Sequence, residues 1–230
     1  MSTHYIRIMN SLQRLTSNYF NDKKPKKTQE NFESINTLVN ISISQSQSIR
    51  IGTSIEDLLR VYISSVSSWN DVKPPNAKGK KERDHLFSRT HDNGKTEKIY
   101  SELKSNLQLD SEKRIKTAEK VKAIVNEEKC DGYITALRHF SLDTLNKSKN
   151  TNFYTERGVA VISVQEYFNV LNIACPFENE EAYKQWVRFI VDRLIEQDML
   201  EEERTAIEAL SDLKTLKDAD RKIDRYETNC

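Results

Sequence analysis

The feature that most constrains the fold is a hairpin signal near the middle of the chain. Two runs with the alternation typical of β-strands, DHLFSRTH and TEKIYSELK, are joined by Asp92-Asn93-Gly94. Asn-Gly steps favour the tight turns of β-hairpins, because both residues tolerate positive φ. The sequence therefore predicts two antiparallel strands that pair across this turn, with Asp84 at the start of the first and Lys104 at the end of the second.

Helical patterns lie on both sides of this hairpin. Before it, TSIEDLLRVYISSVSSW carries apolar residues at helical intervals, and Thr53 or Ser54 is a candidate N-cap. After it, LDSEKRIKTAEKVKAIVNEEK has the pattern of an amphipathic helix, with Asp110 or Ser111 as its cap. The preceding stretch ISISQSQSIRIGTS alternates apolar and polar residues, so that a short strand and a serine-rich linker both remain open.

Further along the chain, DGYITALRHFSL and GVAVISV have strand patterns and are separated by a polar loop around Asn146 to Asn152. SVQEYFNVLNI is helical, because Ser163 and Glu166 have the spacing of a capping box. Charge-rich helical patterns then follow from Glu178. The order of helix, hairpin, helix, strands and helices predicts a mixed α/β fold with a helical C-terminal extension.

Composition limits the class of protein. The chain has 230 residues, of which 37% are hydrophobic and 31% charged, as expected of one soluble globular domain. No apolar run is long enough to span a bilayer and no secretory signal pattern is present, so we expect a cytoplasmic protein with no membrane partner. Three scattered cysteines and four histidines lack the spacing of a disulfide framework or a zinc site.

One charge pair on the second strand of the hairpin has two interpretations. Because strand residues alternate between faces, Glu102 and Lys104 point the same way. They could form an ordinary surface ion pair. They could also belong to a metal site, because Asp84 at the start of the first strand lies opposite them in the predicted hairpin. Leu103 would point to the core and leave its backbone carbonyl as a further ligand.

Such a site would suit phosphodiester hydrolysis. A divalent cation activates water and offsets charge on the phosphate, and Mg²⁺ needs only a few hard oxygen ligands. A nearby lysine can orient the attacking water and stabilise the developing charge. Basic side chains in the loop before Asp84, together with polar residues at the end of the second strand, are candidates for contacts with DNA: Lys78, Lys80, Lys81, Ser105 and Asn106.

Asp84 with Glu102-Leu103-Lys104 resembles the motif of the PD-(D/E)XK nuclease superfamily, and IYSELKSNLQLDSEK resembles type II restriction endonucleases in which this segment leads into a helix. The similarity extends upstream to GTSIEDLLR and downstream to GVAVISVQEYFNVLNI, so that it covers roughly residues 50 to 175. Arg83 stands where the name of the motif has a proline, a position often varied in the family. Asp92 is an alternative acid in another register, but it falls in the turn.

The resemblance implies a single endonuclease domain over residues 1–230, with a catalytic core at about 50–175 and a helical extension at about 176–230. Its fold would be a restriction-endonuclease-like mixed sheet flanked by helices. Asp84 and Glu102 would bind Mg²⁺, Lys104 would position the water, and Glu56 is a further candidate for a second metal or for orienting the ligands. The implied activity is site-specific hydrolysis of double-stranded DNA to 5′-phosphate ends by a homodimer, within a restriction-modification system.

Two other functions remain open from the sequence. A nuclease of the same fold could act in DNA repair or recombination, and a non-catalytic helical interaction protein could carry Glu-Leu-Lys on a strand by chance. Loops at 70–81 and 141–157 are candidates for facing the DNA grooves, on polarity and position alone. The base sequence that such an enzyme would read is not encoded in any motif of one chain.

Overall fold

The predicted hairpin forms part of a five-stranded mixed sheet. The computed structural model describes residues 3–22, 45–72, 83–105, 107, 109–146 and 149–198. Its strands are β1 (Asn70–Asp71), β2 (His85–Thr90), β3 (Thr96–Lys104), β4 (Asp131–Ala136) and β5 (Ala160–Ser163), in that spatial order. β1, β2 and β3 pair antiparallel, whereas β3, β4 and β5 pair parallel. The hairpin is confirmed: His85 lies opposite Ser101, and Thr90 opposite Thr96, across the turn.

The helices are α1 (Thr3–Asp22), α2 (Gln45–Val66), α3 (Ser111–Glu128), α4 (Leu142–Asn146), α5 (Lys149–Thr155) and α6 (Val164–Val170), followed by helical residues 180–190. The caps of α3 and α6 match the sequence. Asp110, rather than Ser111, caps α3, because its carboxylate accepts a hydrogen bond from the Lys113 N–H. The capping box of Ser163 and Glu166 opens α6.

The start of α2 differs from the sequence-based expectation. The helix begins at Gln45, so neither a strand nor a linker describes residues 45–54, and Thr53 and Ser54 lie inside the helix instead of capping it. Their hydroxyls donate hydrogen bonds to the carbonyls of Ile49 and Arg50, one turn back, which accommodates both side chains within the helix. Glu56 is consequently a mid-helix residue.

The segment between β4 and β5 also differs. Instead of one polar loop around Asn146 to Asn152, it contains α4 and α5, and the candidate groove-facing loop at 141–157 consists largely of these short helices. Leu145 and Tyr154 explain the difference, because each is buried in the core from one of the two helices. Of the candidate loop at 70–81, only β1 and Val72 are described, and residues 73–81 lie outside the described part.

Helices cover both faces of the sheet. On one face, α3 packs on β3 and β4 around a core that includes Tyr100, Val121 and Ile134. On the other face, residues of the opposite parity, such as His85, contact α2 and α6. The side chains of Glu102 and Lys104 share the parity of Tyr100 and therefore lie on the α3 face, at the end of β3.

The chain divides into two compact units, Met1–Ile190 and Val191–Cys230. The sheet and the helices named above belong to the first unit. In the second, residues 191–198 are helical, and the rest of the predicted C-terminal extension lies outside the described residues. No helix in the described part of the chain is long and apolar enough to cross a membrane. The mixed α/β class, with a central sheet flanked by helices, is confirmed.

Candidate active site

The two carboxylates predicted to hold a cation come together where β2 begins and β3 ends. Asp84 directly precedes the pairing of His85 with Ser101, and its Oδ2 accepts a hydrogen bond of 2.8 Å from the backbone N–H of Leu103. Glu102 is buried beside it. Asp92, the alternative acid, is exposed in the hairpin turn. The structure therefore brings Asp84, and not Asp92, to Glu102.

Lys104 lies on the same face as Glu102, as strand alternation predicts. Its Nζ is 2.9 Å from Oε1 of Glu102, and the side chain is largely but not fully buried. The side chain of Leu103 points the other way and is buried. Leu103 reaches the site through its amide, which binds Asp84. The role predicted for its carbonyl as a metal ligand stays a prediction.

A second lysine, which the sequence reasoning missed, contacts both carboxylates. Nζ of Lys120, on α3, lies 2.6 Å from Oε2 of Glu102 and 3.7 Å from Oδ1 of Asp84. One sequence signal could have found it. Thr117, Val121 and Ile124 form the buried stripe of α3, and Lys120 falls within that stripe by helical spacing. A lysine in such a stripe is expected to have an anionic partner.

Tyr100 also belongs to the site. Its hydroxyl, fully buried, donates a hydrogen bond to Oε2 of Glu102, which also contacts Lys120. Burial, together with the charges of Glu102 and Asp84, raises the pKa of Tyr100 far above its usual value, so the phenol stays protonated and acts as a donor. Glu102 is thus oriented by a hydroxyl and two ammonium groups.

The two carboxyl groups differ in their protonation. Burial, and then repulsion from Glu102, raises the pKa of Asp84 to about 8, although Lys120 acts in the opposite direction. Burial also opposes ionisation of Glu102, but the charges of Lys104 and Lys120 outweigh it and hold the pKa of Glu102 below its usual range. Glu102 is therefore ionised at neutral pH, whereas Asp84 is largely protonated there.

Glu56 lies close to this pair, but its carboxylate is engaged by Arg60. Glu56 pairs with Arg60 one turn along α2, and Arg60 also donates a hydrogen bond of 2.8 Å to the backbone carbonyl of Asp84. A second bond of 2.6 Å joins Arg60 to Asp57. Of the two roles predicted for Glu56, this arrangement favours orientation of the ligand-bearing segment.

Two further contacts hold the start of β2. His85 is fully buried, with Nε2 at 2.8 Å from the carbonyl of Glu56 and Nδ1 at 2.6 Å from the Tyr167 hydroxyl. A single proton on Nε2 satisfies both contacts, because a carbonyl can only accept and the tyrosine can then donate. On the other side of Asp84, Arg83 forms an ion pair of 2.9 Å with Glu127 at the end of α3. The contacts of Arg83 and His85 thus fix the backbone on both sides of Asp84.

The candidate DNA contacts are only partly described. Lys78, Lys80, Lys81 and Asn106 lie outside the described residues. Ser105 is described and is buried directly after β3.

The donor set fits a hard divalent cation. Within the described residues, no three histidine, cysteine, aspartate or glutamate side chains gather into a metal site. The pair Asp84 and Glu102 instead offers carboxylate oxygens alone, which suits Mg²⁺ or Mn²⁺ with waters completing the coordination. An ammonium group already bridges these two carboxylates, so the space between them accepts a positive charge.

No protein-family model matches the sequence, and no curated protein matches it.

Proposed function

We propose that the chain is a magnesium-dependent type II restriction endonuclease with a PD-(D/E)XK core, which hydrolyses phosphodiester bonds of double-stranded DNA and leaves 5′-phosphate ends. One observation carries the proposal. Asp84 and Glu102, which are 18 positions apart in the sequence, meet at the junction of two antiparallel strands, with the Lys104 ammonium 2.9 Å from Glu102. The mixed sheet between helices supports the same superfamily.

Each residue has a chemical role in this proposal. Asp84 and Glu102 would hold Mg²⁺, with the Leu103 carbonyl as a further ligand. When bound, the metal would lower the pKa of a coordinated water and offset charge on the phosphate. Lys104 would orient the attacking water and stabilise negative charge as it develops on the phosphate oxygens.

Neighbouring groups would keep the ligands in place. The Tyr100 hydroxyl orients Glu102, and the Leu103 N–H orients Asp84. Arg60 fixes the backbone of Asp84 through its carbonyl. Hydrogen bonds from buried donors reduce the reorganisation that cation binding would otherwise require.

Digestion of plasmid DNA with Mg²⁺ tests the proposal. The wild-type chain is expected to produce discrete fragments with 5′-phosphate ends, and sequencing of those ends would give the cut position. Asp84→Ala, Glu102→Ala and Lys104→Ala should each abolish cleavage while the chain still folds. Asp92→Ala is a matched control, because it removes the one acid between Asp84 and Glu102 that lies at the exposed turn, and it should cleave normally.

The other outcomes are equally informative. Nicks or structure-dependent cuts would favour a repair or recombination nuclease, and no cleavage by the wild-type chain with Mg²⁺ or Mn²⁺ would favour a non-catalytic interaction protein. Normal cleavage by any of the three alanine variants would remove that residue from the proposed site. Two copies of the chain on a palindromic sequence are expected, so sedimentation should show a homodimer.

A further inference from the structure

Lys120 occupies the position between the two carboxylates. Its Nζ is 2.6 Å from Glu102 Oε2 and 3.7 Å from Asp84 Oδ1. A cation held by these same two carboxylates would need the space that the ammonium now fills. The ammonium group therefore supplies, at the two carboxyl groups, the positive charge that such a cation would supply.

The charges of the site lead to the same conclusion. The carboxyl groups of Asp84 and Glu102 face two ammonium groups, Lys104 and Lys120, so the positive charge already present at least matches the negative charge of the pair. A divalent cation added to this arrangement would meet strong repulsion at short range in a buried setting. Movement of one ammonium group would relieve it.

Lys120 has a route out of the site. It projects from α3 rather than from the sheet, and its side chain is 21% exposed. Glu119 beside it on the helix is exposed. A partly exposed four-carbon side chain can turn its ammonium group toward water when another cation replaces it at the carboxylates.

We propose that Lys120 holds the cation position in the metal-free chain and gives it up when a divalent metal binds, so that this lysine sets the metal concentration at which the site fills. The inference rests on the proposed function, because it takes Asp84 and Glu102 as the metal ligands. Lys120 is then a positioning residue: it keeps the carboxyl groups of Asp84 and Glu102 together until the metal binds.

Metal titration of the full chain without DNA tests this. Mn²⁺ serves as the probe, and the electron paramagnetic resonance signal of the free ion reports binding. Lys120→Met removes the charge and keeps most of the side-chain length, and it should bind Mn²⁺ at least about tenfold more tightly than the wild-type chain. Its melting temperature in EDTA should fall, and Mn²⁺ should raise that temperature by more than it raises the wild type's.

Lys122→Met is the matched control, because Lys122 is an exposed lysine of the same helix and the substitution makes the same change in net charge. Its Mn²⁺ affinity should equal that of the wild type. Lys120→Gln provides a second variant that can still donate a hydrogen bond to Glu102, which preserves folding if the methionine does not. It too should bind Mn²⁺ more tightly.

The outcomes separate this inference from the proposed function. Equal or weaker Mn²⁺ binding by both Lys120 variants, in a chain whose wild-type binding is lost in Asp84→Asn, would overturn the role of Lys120 and leave the metal site standing. No Asp84-dependent binding in any variant would overturn both. Tight binding by Lys120→Met that disappears when Asp84→Asn is added would support both.

Discussion

The guanidinium of Arg60 donates a hydrogen bond of 2.8 Å to the backbone carbonyl of Asp84, 24 residues further along the chain. Arg60 also pairs with Glu56 and Asp57 of its own helix. Helix α2 thus holds the main chain from which Asp84 projects, while the Asp84 carboxylate remains available to the site. This contact makes the role of Glu56 testable apart from that of the carboxylate ligands.

Glu56→Gln should retain cleavage within about tenfold of the wild type, because a neutral amide oxygen can still accept a hydrogen bond from Arg60. Arg60→Met should be more harmful. It removes the guanidinium that pairs with Glu56, Asp57 and Asp71 and binds the Asp84 carbonyl, with an expected loss of about 2 kcal/mol in the free energy of unfolding. Urea unfolding and plasmid cleavage measure the two effects. Complete loss of cleavage in Glu56→Gln, with stability unchanged, would make Glu56 a metal ligand.

Two substitutions of Asp84 should separate its charge from its hydrogen bond. Asp84→Asn retains an oxygen that can accept the Leu103 N–H, so the free energy of unfolding in EDTA at about pH 4, where Asp84 is protonated in the folded chain, should change by less than about 1 kcal/mol. Asp84→Ala leaves that N–H without its partner and should cost about 1–3 kcal/mol. Both variants should lose Mn²⁺ binding and cleavage. Retained cleavage in Asp84→Asn would show that the charge of residue 84 is not required.

Asp84 should also give the metal-free chain a distinctive pH dependence. Burial raises the pKa of Asp84 to about 8 in the folded chain, from 3.8 in the unfolded chain. Between about pH 4 and 8 the unfolded chain has therefore lost a proton that the folded chain still holds. Asp84 therefore contributes a loss of stability as the pH rises through that window, of at most about 1.4 kcal/mol per pH unit. In EDTA, the wild type should lose stability relative to Asp84→Asn between pH 5 and 8. Parallel pH profiles would mean that Asp84 is already ionised in the folded chain.

Tyr100→Phe should reduce cleavage without abolishing it. The substitution removes the hydroxyl that orients Glu102, although Lys104 and Lys120 still contact that carboxylate. We expect a loss of about 1–3 kcal/mol in the free energy of unfolding, since a buried hydrogen bond to a charged group is lost, and a slower cleavage step at saturating Mg²⁺. Tyr133→Phe on the neighbouring strand is the control, because Tyr133 lies in β4, away from the carboxylates, and is only half-buried. Equal effects of the two substitutions would indicate a packing change only.

Several local features of the structure could be predicted from neighbouring residues. The Asn93-Gly94 turn, the Asp110 cap and the capping box of Ser163 are decided by contacts within a few residues, and the structure contains all three. The start of α2 could not be predicted in the same way. Thr53 and Ser54 are each as suitable for an N-cap as for a position inside a helix, where the hydroxyl bonds a carbonyl one turn back, and packing of the whole helix decides between the two.

In the candidate site, too, some contacts follow from neighbouring residues and others from the packing of distant elements. Side chains alternate between the faces of a strand with a period of two, so the sequence alone places Glu102 and Lys104 on one face. The position of the turn sets the register of the hairpin, which brings Asp84 opposite them. Tertiary packing alone decides that Lys120 of α3 lies between the carboxylates and that Arg60 holds the Asp84 carbonyl. Those contacts join elements distant in sequence, and they form because buried charged and polar groups require partners, which here come from other packed elements.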